Sequence, residues 1–380
     1  MIAWTREHVA AIAMADDNTI PHIRREDVHR LVPGVDLWDL WPVREHDGSM
    51  ASLCGGQVWI ALSAPAEGDI GLRHNIARLR AIGFVDGAWI DMGPLFEEGG
   101  ALGSRQWAGC ARLDQESGVL TVLYTAAGRL GEEALTFEQV IARGTGVVSC
   151  DEGRLVLERQ GEHEIVLDAD GTWYKQAKEV TGRAGFIDAF RDPFLFVDPA
   201  DGVEYVLFTA TLAGAESQYD GAIGVARTAG DAFELLPPLA HADGVNNELE
   251  RPHVVHVDGG YYVFFSTQRR TFDPSCQGPT GLYGFYGESL FGPYRPLNGS
   301  GLVIANPPRE PFQGYSWLVL NDLSVVSFVD MHNLAGTHPD DIGGVGLREY
   351  FGATAAPILQ IEVSGDRTRL VGAHGPLELL

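Results

Sequence analysis

The sequence predicts an all-β fold, a five-bladed β-propeller with a few short peripheral helices. Short runs rich in β-branched and aromatic residues recur about every 8 to 12 residues, and Asp-Gly or Asn-Gly pairs separate many of them. A blade of four strands with its loops takes about 40 to 70 residues, so about five blades fill the 380-residue chain. Composition does not shift sharply along the chain, and we therefore expect a single propeller domain over residues 1–380.

Three helices and many strands are predicted individually. Thr5 is a candidate N-cap for a helix that extends to Ala13, and a second helix over Arg24–Leu31 would end before Pro33-Gly34. Thr136 followed by Gln139 has capping-box spacing, which predicts a third helix ending at Gly144. The predicted strands are Gln57–Leu62, Ala88–Met92, Leu120–Tyr124, Gly146–Cys150, Leu155–Arg159, Phe194–Val197, Tyr205–Ala210, Ala222–Ala226, His253–Val257, Tyr261–Ser266, Gly281–Tyr286, Trp317–Leu320, Val325–Val329, Gly344–Glu349 and Ile358–Val363.

Composition and charge argue against two classes of partner. The apolar fraction of 45% is ordinary for a soluble globular protein, and no apolar run reaches the roughly 18 residues of a membrane helix. The net charge of −25 repels phosphate backbones and anionic lipid headgroups, so we expect neither nucleic acid nor membrane as a partner. A neutral substrate such as a sugar would feel little of this field.

The cysteines and the N-terminus carry weak signals. None of Cys54, Cys110, Cys150 and Cys276 has metal-site spacing, so buried free thiols are expected, with a disulfide as the alternative. The first residues lack a basic start followed by an apolar core, so no signal peptide is expected in this chain. Export without a leader, a trimmed leader and a cytoplasmic location all fit that pattern.

Three acidic motifs are the candidates for chemistry. Trp rings flank Asp39 in Trp38-Asp39-Leu40-Trp41-Pro42, where they can desolvate a carboxylate and wall a sugar, although a core strand with an incidental Asp has the same pattern. Arg191-Asp192-Pro193 places opposite charges inside an apolar stretch, which fits either a functional site or a structural ion pair.

The third motif is Glu248-Leu249-Glu250-Arg251. On a strand, residues 248 and 250 point to the same face, and repulsion between the two carboxylates raises the pKa of one of them. A general acid near neutral pH needs that property, but an exposed acidic edge paired with Arg251 is the alternative. Together the three motifs supply the acid, the nucleophile and the hydroxyl-holding groups that a glycosidase needs.

In this order and spacing, the motifs resemble glycoside hydrolase family 68, which contains levansucrases, inulosucrases and β-fructofuranosidases. The segment Gln106-Trp107-Ala108-Gly109 is similar to the family's Trp-Ser-Gly segment, and Tyr315-Ser316 to its Tyr-Ser pair. The matches extend from residue 38 to residue 316. The resemblance implies a five-bladed propeller and a reaction on sucrose.

The resemblance also implies a role for each residue. Asp39 would be the nucleophile, Glu250 the acid/base, and Asp192 the carboxylate that holds the fructosyl ring. Trp38 and Trp107 would wall the sugar, and Arg191 and Arg251 would bind glucosyl hydroxyls. The remaining candidates for substrate binding are Glu248, which would orient Arg251 or the glucosyl unit, Gln268 and Tyr315.

Three positions depart from the family pattern. Ala108 replaces the serine that helps to hold the nucleophile, so Asp39 needs another partner, such as Tyr315 or a water. Gln268 replaces the acceptor-side Arg or His that influences polymer growth. Asn247 replaces the aspartate that precedes the paired glutamates in calcium-binding members, and this loss of charge predicts no calcium there. No metal or other cofactor is expected.

The expected activity is therefore a retaining β-fructofuranosidase or fructosyltransferase that passes fructose from sucrose to water or to sugar acceptors, giving short fructo-oligosaccharides. Synthesis of levan polymer is one alternative, and a sugar-binding propeller without catalysis is another. An inulin- or arabinan-cleaving enzyme of similar fold is disfavoured, because Leu40-Trp41 rather than Pro follows Asp39. Sucrose and sugar acceptors are the expected partners, and the sequence leaves the oligomeric state open.

Overall fold

The computed structural model describes residues 1–158, 161–177, 186–230 and 232–373, and its strands form one ten-stranded sheet and three five-stranded sheets. The ten-stranded sheet contains the first two blades. The predicted β-propeller is confirmed, and we number its blades I to V in chain order. Before blade I come strand β1 (Ile2–Ala3), helix α1 (Arg6–Ala10) and a 3₁₀ turn (Arg25–Asp27). Thr5 caps α1 as predicted, whereas the predicted helix over Arg24–Leu31 is reduced to that single turn.

The blades have the following strands. Blade I contains β2 (Val35–Arg44), β3 (Ser52–Leu53), β4 (Gly56–Pro65), β5 (Arg78–Val85) and β6 (Ala88–Pro94), with a 3₁₀ helix over Ile70–Asn75. Blade II contains β7 (Arg105–Leu113), β8 (Val119–Ala127), β9 (Gln139–Asp151), β10 (Arg154–Glu158) and β11 (His163–Leu167). Blade III contains β12 (Phe190–Val197), β13 (Glu204–Thr211), β14 (Gly221–Ala229) and β15 (Ala232–His241), which pairs in parallel with β1.

The last two blades complete the ring. Blade IV contains β16 (Glu250–Val257), β17 (Gly260–Thr267), β18 (Gly281–Gly287), β19 (Tyr294–Pro296) and β20 (Leu302–Ala305), with 3₁₀ turns at Arg269–Thr271 and Leu297–Gly299. Blade V contains β21 (Gly314–Val319), β22 (Ser324–Met331), β23 (Phe351–Ala355), β24 (Leu359–Ser364) and β25 (Arg367–Ala373), with a 3₁₀ turn at Pro339–Asp341 and helix α2 (Gly344–Leu347).

Two element predictions were wrong. The segment with the capping-box spacing is not a helix, because Gln139 begins the long strand β9, which pairs with β8 on one side and with β10 and β11 on the other. Pairing with three strands outweighed a local capping signal. The predicted strand Gly344–Glu349 contains α2 instead. Arg159, the last residue of another predicted strand, lies outside the described residues.

The innermost strands β2, β7, β12, β16 and β21 surround the propeller axis, and neighbouring innermost strands contact each other between blades I and II, II and III, III and IV, and IV and V. Blade V returns to blade I through β22 and β23, which contact β2. A fully buried carboxylate reinforces this closure, since Asp36 accepts hydrogen bonds from Arg30 at 2.8 Å and Arg348 at 2.5 Å. Because both of its oxygens are paired with guanidinium groups, this buried charge is compensated.

Each innermost strand contains a β-bulge with one more residue than the strand it pairs with. Trp38 and Trp41 pair with Leu62 and Ile60, so two residues of β2 lie opposite one residue of β4. The same mismatch interrupts β12, β16 and β21, and β7 gains one residue between Trp107 and Gly109. A bulge bends its strand and re-aims side chains, so the five bulges define where side chains can converge on the axis.

The five bulges define two rings of side chains. The residue before each extra residue forms the first ring, which consists of Trp38, Trp107, Arg191, Glu250 and Tyr315. The next residue forms the second ring, which consists of Asp39, Ala108, Asp192, Arg251 and Ser316. Four members of the second ring have the left-handed backbone conformation, with φ between 45° and 60°. Outside glycine this conformation is uncommon and is concentrated at functional sites.

Two of the four cysteines form a disulfide, which corrects the expectation of free thiols. Cys54, in the turn between β3 and β4, is bonded to Cys150 near the end of β9, 96 positions further along the sequence. Cys110 and Cys276 are free and buried. The disulfide joins the β3–β4 turn of blade I to strand β9 of blade II.

Replacing Cys54 and Cys150 together by serine should lower the free energy of unfolding by about 4 to 5 kcal/mol, because the bond closes a loop of nearly 100 residues in the unfolded chain. Chemical denaturation of both proteins measures the difference. Reductant should destabilise the wild type by a similar amount and leave the double variant unchanged. Equal denaturation midpoints for the two proteins under oxidising conditions would contradict this prediction.

Candidate active site

The three predicted catalytic carboxylates meet at one end of the propeller axis. Burial raises the pKa of Asp192 to about 7, Arg191 opposes the shift, and the charges of Glu250 and Asp39 add to it. Such mutual effects require that the three side chains lie close together. They come from blades III, IV and I, so the bulges bring together residues that are more than 200 positions apart at the extremes.

Asp39 is held by blade V rather than by blade II. Burial raises the pKa of Asp39, while the Arg251 guanidinium and a hydrogen bond from the Ser316 hydroxyl favour its ionised form. The Ser316 hydroxyl in turn accepts a 2.7 Å hydrogen bond from Arg251 Nη1. Ser316 therefore takes the place of the expected Tyr315 or water as the partner of Asp39. In the second ring it flanks Asp39 on one side, and Ala108 flanks it on the other.

Glu250 has a fixed partner on each carboxylate oxygen. The Tyr315 hydroxyl donates to Oε2, and Arg191 Nη2 donates to Oε1 at 2.8 Å. All three residues belong to the first ring, in blades III, IV and V. The carboxylate of Glu250 is thus held rigidly toward the shared space, as a group that transfers a proton must be.

Glu248 lies close to Glu250, and the two carboxylates repel each other. Burial and repulsion by Glu250 raise the pKa of Glu248 to about 7, against the effect of Arg191. Arg191 Nη2 contacts both glutamates, so Arg191, and not Arg251 as expected, is the cation that Glu248 orients. Glu248 therefore keeps its proton to higher pH than an isolated glutamate would.

Asp192 is fixed by hydroxyl groups of the neighbouring strands. Its Oδ2 accepts a hydrogen bond from Thr209 Oγ1 at 3.0 Å, and its backbone N–H donates to Thr125 Oγ1 at 2.9 Å. Thr209 Oγ1 also accepts the backbone N–H of Arg251 at 2.9 Å. These threonines satisfy backbone groups that the bulges withdraw from the sheet, which keeps the strained conformation in place.

The residues that were predicted to contact the sugar differ in their burial and in their partners. Trp107 is 9% exposed and donates from Nε1 to the backbone oxygen of His74 at 3.0 Å. Trp38 is fully buried, with its ring against His74 and under the Arg73 guanidinium, so it lies behind the surface of the pocket and not on it. Gln268 is half-buried and hydrogen-bonds to the Tyr315 hydroxyl, which places it beside Glu250.

Arg73, His74 and Asp330 also surround the carboxylates, and the sequence motifs did not identify them. Burial lowers the pKa of His74 well below its ordinary value, helped by Arg73, so the imidazole is neutral. Arg73 Nη2 lies 3.8 Å from Asp330 Oδ1. The positive charge of Arg73 also opposes the rise in the pKa of Asp39 that burial causes. Arg73 and His74 lie in the 3₁₀ helix of a connecting loop. In the sequence, only the charges within Leu72-Arg73-His74-Asn75 could have indicated them.

Asn247, one of the three positions that depart from the family pattern, is held by hydrogen bonds from its amide nitrogen. Asn247 is fully buried, and its Nδ2 donates to the backbone oxygens of Ile187 and Gln218 and to Asp220 Oδ1, at 3.1 to 3.2 Å. Lys175 compensates the other oxygen of Asp220 at 3.1 Å. In the part of the chain that the structure describes, no group of three or more His, Cys, Asp and Glu side chains could hold a metal ion.

Comparison with known proteins establishes the family of the chain. The family model described as Levansucrase/Invertase, of glycoside hydrolase family 68, matches residues 1–220 and 213–375. The chain belongs to glycoside hydrolase family 68. A levansucrase of Pseudomonas savastanoi pv. glycinea is 33% identical over 411 residues, covering 96% of this chain and 93% of the relative.

Solved structures of family 68 members share the whole fold. The inulosucrase from Halalkalicoccus jeotgali, bound to kestose, is 41% identical with a TM-score of 0.92, covering 100% of this chain and 98% of that one. The levansucrase from Gluconacetobacter diazotrophicus is 26% identical with a TM-score of 0.81, covering 99% and 91%. No helix among the described residues is long and apolar enough to span a membrane.

For this family 68 member, a chelator should leave the thermal unfolding temperature unchanged, because the Asn247 amide, and not a cation, is the partner of Asp220 Oδ1. The variant Asn247→Asp should lose about 1 to 3 kcal/mol of stability without metal, since it removes three donated hydrogen bonds and sets a second carboxylate against Asp220. Thermal unfolding with and without EDTA measures both effects. A lower unfolding temperature of the wild type in EDTA would refute the assignment.

Proposed function

We propose that this protein cleaves sucrose with retention of configuration, through a covalent fructosyl-enzyme, and passes the fructosyl group to water or to sugar acceptors to give short fructo-oligosaccharides. The observation that carries the proposal is the convergence of Asp39, Asp192 and Glu250 on bulges of three blades in a family 68 propeller. A retaining glycosidase needs a nucleophile and an acid/base on opposite sides of the anomeric carbon.

In this mechanism Glu250 protonates the oxygen that bridges fructose and glucose. Burial and repulsion by Glu250 raise the pKa of the neighbouring Glu248 to about 7, and Arg191 and Tyr315 fix the orientation of Glu250. When glucose has left, Glu250 is ionised and accepts a proton from water or from an acceptor hydroxyl. Such acid/base catalysis contributes about 10² to 10⁴ in rate.

Asp39 attacks the anomeric carbon in its ionised form, which Arg251 and Ser316 favour against the effect of burial. Positive charge develops on the ring in the transition state. Asp192 accepts hydrogen bonds from fructosyl hydroxyls, and these bonds strengthen as that charge grows. Thr209 leaves part of Asp192 free for this role, since it occupies only Oδ2.

The side chain at position 268 favours short products over levan polymer. Gln268, which replaces the Arg or His of polymer-forming members, is a neutral side chain bonded to Tyr315 and so belongs to the rim next to Glu250. The relative with 41% identity is a solved structure bound to kestose, which is sucrose extended by one fructosyl unit. Levan synthesis remains the second candidate, because the curated relatives are levansucrases.

Replacing the nucleophile or the acid/base should abolish or strongly reduce glucose release from sucrose. Glu250→Gln should lower kcat at least about 10²-fold, and Asp39→Asn should lower it further because it removes the covalent route. Assays of free glucose and free fructose measure the rates, and an excess of glucose over fructose measures transfer to sugars.

Glu234→Gln is the matched control, because Glu234 is a carboxylate paired with Arg227 on the outer strand β15, far from the axis. It should have wild-type activity. Wild-type glucose release by Asp39→Asn would refute the mechanism, and binding of sucrose by the wild type without any glucose release would favour the non-catalytic sugar-binding propeller.

Ser316→Ala should lower kcat about 10-fold or more with little change in KM, because it removes the hydrogen bond that orients and ionises Asp39. Ala108→Ser, which places a hydroxyl on the opposite flank of Asp39 in the second ring, should restore part of that loss in the double variant. Steady-state kinetics on sucrose measures both effects.

The matched control for this experiment is Ala108→Ser alone, which should remain within a few-fold of the wild type. If Ser316→Ala changes only KM, or if Ala108→Ser lowers the activity of both backgrounds equally, Ser316 does not position the nucleophile.

A further inference from the structure

A second cavity lies at the opposite end of the propeller axis. It has a volume of about 160 Å³, and every blade contributes to its lining, which includes Arg44, Arg112, Phe196, Pro199, His256 and Asn321. Asp39 lies in the middle of β2, whereas Arg44 ends it, so the cavity is roughly 15 Å from the nucleophile along the strand. The proposed reaction gives this cavity no role.

Two arginines lie side by side in this cavity. Strands β2 and β7 pair in parallel, and Arg44 is the register partner of Arg112. Arg112 donates to Glu204, which compensates its charge, and lies 3.3 Å from His46 Nδ1. Placing two guanidinium groups next to each other is unfavourable unless anions compensate both of them.

Arg44 has no such compensation within the described residues. Its Nη2 donates to the backbone oxygen of Leu195 at 3.0 Å, and its guanidinium carbon lies 4.0 Å from the centre of the Phe194 ring. No carboxylate forms an ion pair with it in the part of the chain that the structure describes. Burial lowers the pKa of Arg44, and although the Cys110 thiol opposes that shift, Arg112 adds to it.

The acidic residues that line the cavity are engaged elsewhere. Glu45 accepts a hydrogen bond from Gln115 Nε2, and Asp47 accepts hydrogen bonds from the backbone and the hydroxyl of Ser49, at 2.9 and 2.6 Å. Arg44 is therefore a half-buried cation that forms no ion pair with a carboxylate among the described residues, and its register partner is another cation. An unpaired buried charge is unfavourable, and a bound anion would compensate it.

We propose that this cavity binds a small inorganic oxyanion, such as phosphate or sulfate, between Arg44 and Arg112. The guanidinium fork presents parallel N–H groups that match the spacing of two oxyanion oxygens. The anion would bridge blades I and II at the point where β2 and β7 pair, so it would stabilise the propeller without taking part in the reaction.

Thermal unfolding in phosphate, compared with chloride at equal ionic strength, tests the proposal. The chloride reference is required because any salt screens the net charge of −25. Millimolar phosphate or sulfate should raise the unfolding temperature of the wild type by about 2 °C or more beyond the chloride value. Arg44→Met, which keeps the aliphatic stem and removes the charge, should abolish this gain and retain wild-type activity on sucrose.

Arg227→Met is the matched control, because Arg227 is an exposed arginine paired with Glu234, and this variant should respond to phosphate as the wild type does. If Arg44→Met does not fold, ³¹P line broadening of phosphate by the wild type decides: sulfate should reverse the broadening and chloride should not. Equal responses of wild type and Arg44→Met, or the absence of broadening, would overturn the proposal.

Discussion

The active site depends on one backbone feature, the single extra residue in each innermost strand. A regular strand alternates its side chains between two faces, so only every second residue could face a neighbouring blade at a given height. The extra residue breaks this alternation, so that consecutive residues such as Arg191 and Asp192, or Glu250 and Arg251, can both contribute to the site. Proline is tolerated directly after Asp192 and Arg251, because the bulge has already withdrawn that position from the ladder.

The two rings explain why the charges of the site balance. Asp39 and Asp192 in the second ring share it with Arg251, while Glu250 in the first ring shares it with Arg191. Each carboxylate thus has a cation from a different blade, while burial is the main cause that raises the pKa of Asp39 and of Asp192. In the proposed mechanism, carboxylates in such a buried site would stabilise the positive charge that a sugar ring gains in the transition state.

The sequence predicted the fold and most members of the two rings, since the motifs around residues 38, 107, 191, 250 and 315 coincide with the bulges. It did not predict the hydrogen bonds between the blades, because these depend on the order of blades around the axis. Ser316 was known only as part of a motif, and its contact with Asp39 requires that blade V lie beside blade I. The disulfide between Cys54 and Cys150 was missed for the same reason, and Arg73 was missed because it reaches the site from a loop.

The second ring explains how Asp39 keeps a hydroxyl partner although Ala108 replaces the serine of the family pattern. A side chain of the second ring has two lateral neighbours, so either of them can supply the hydroxyl that Asp39 needs. Here Ser316 both accepts from Arg251 and donates to Asp39, which links the proposed nucleophile to its main cation through one hydroxyl. With Ala at position 108, this second connection is the one that supplies a hydroxyl to Asp39. The orientation of Asp39 therefore depends on the contact between blades I and V, the same contact that Asp36 and Arg348 reinforce at the rim.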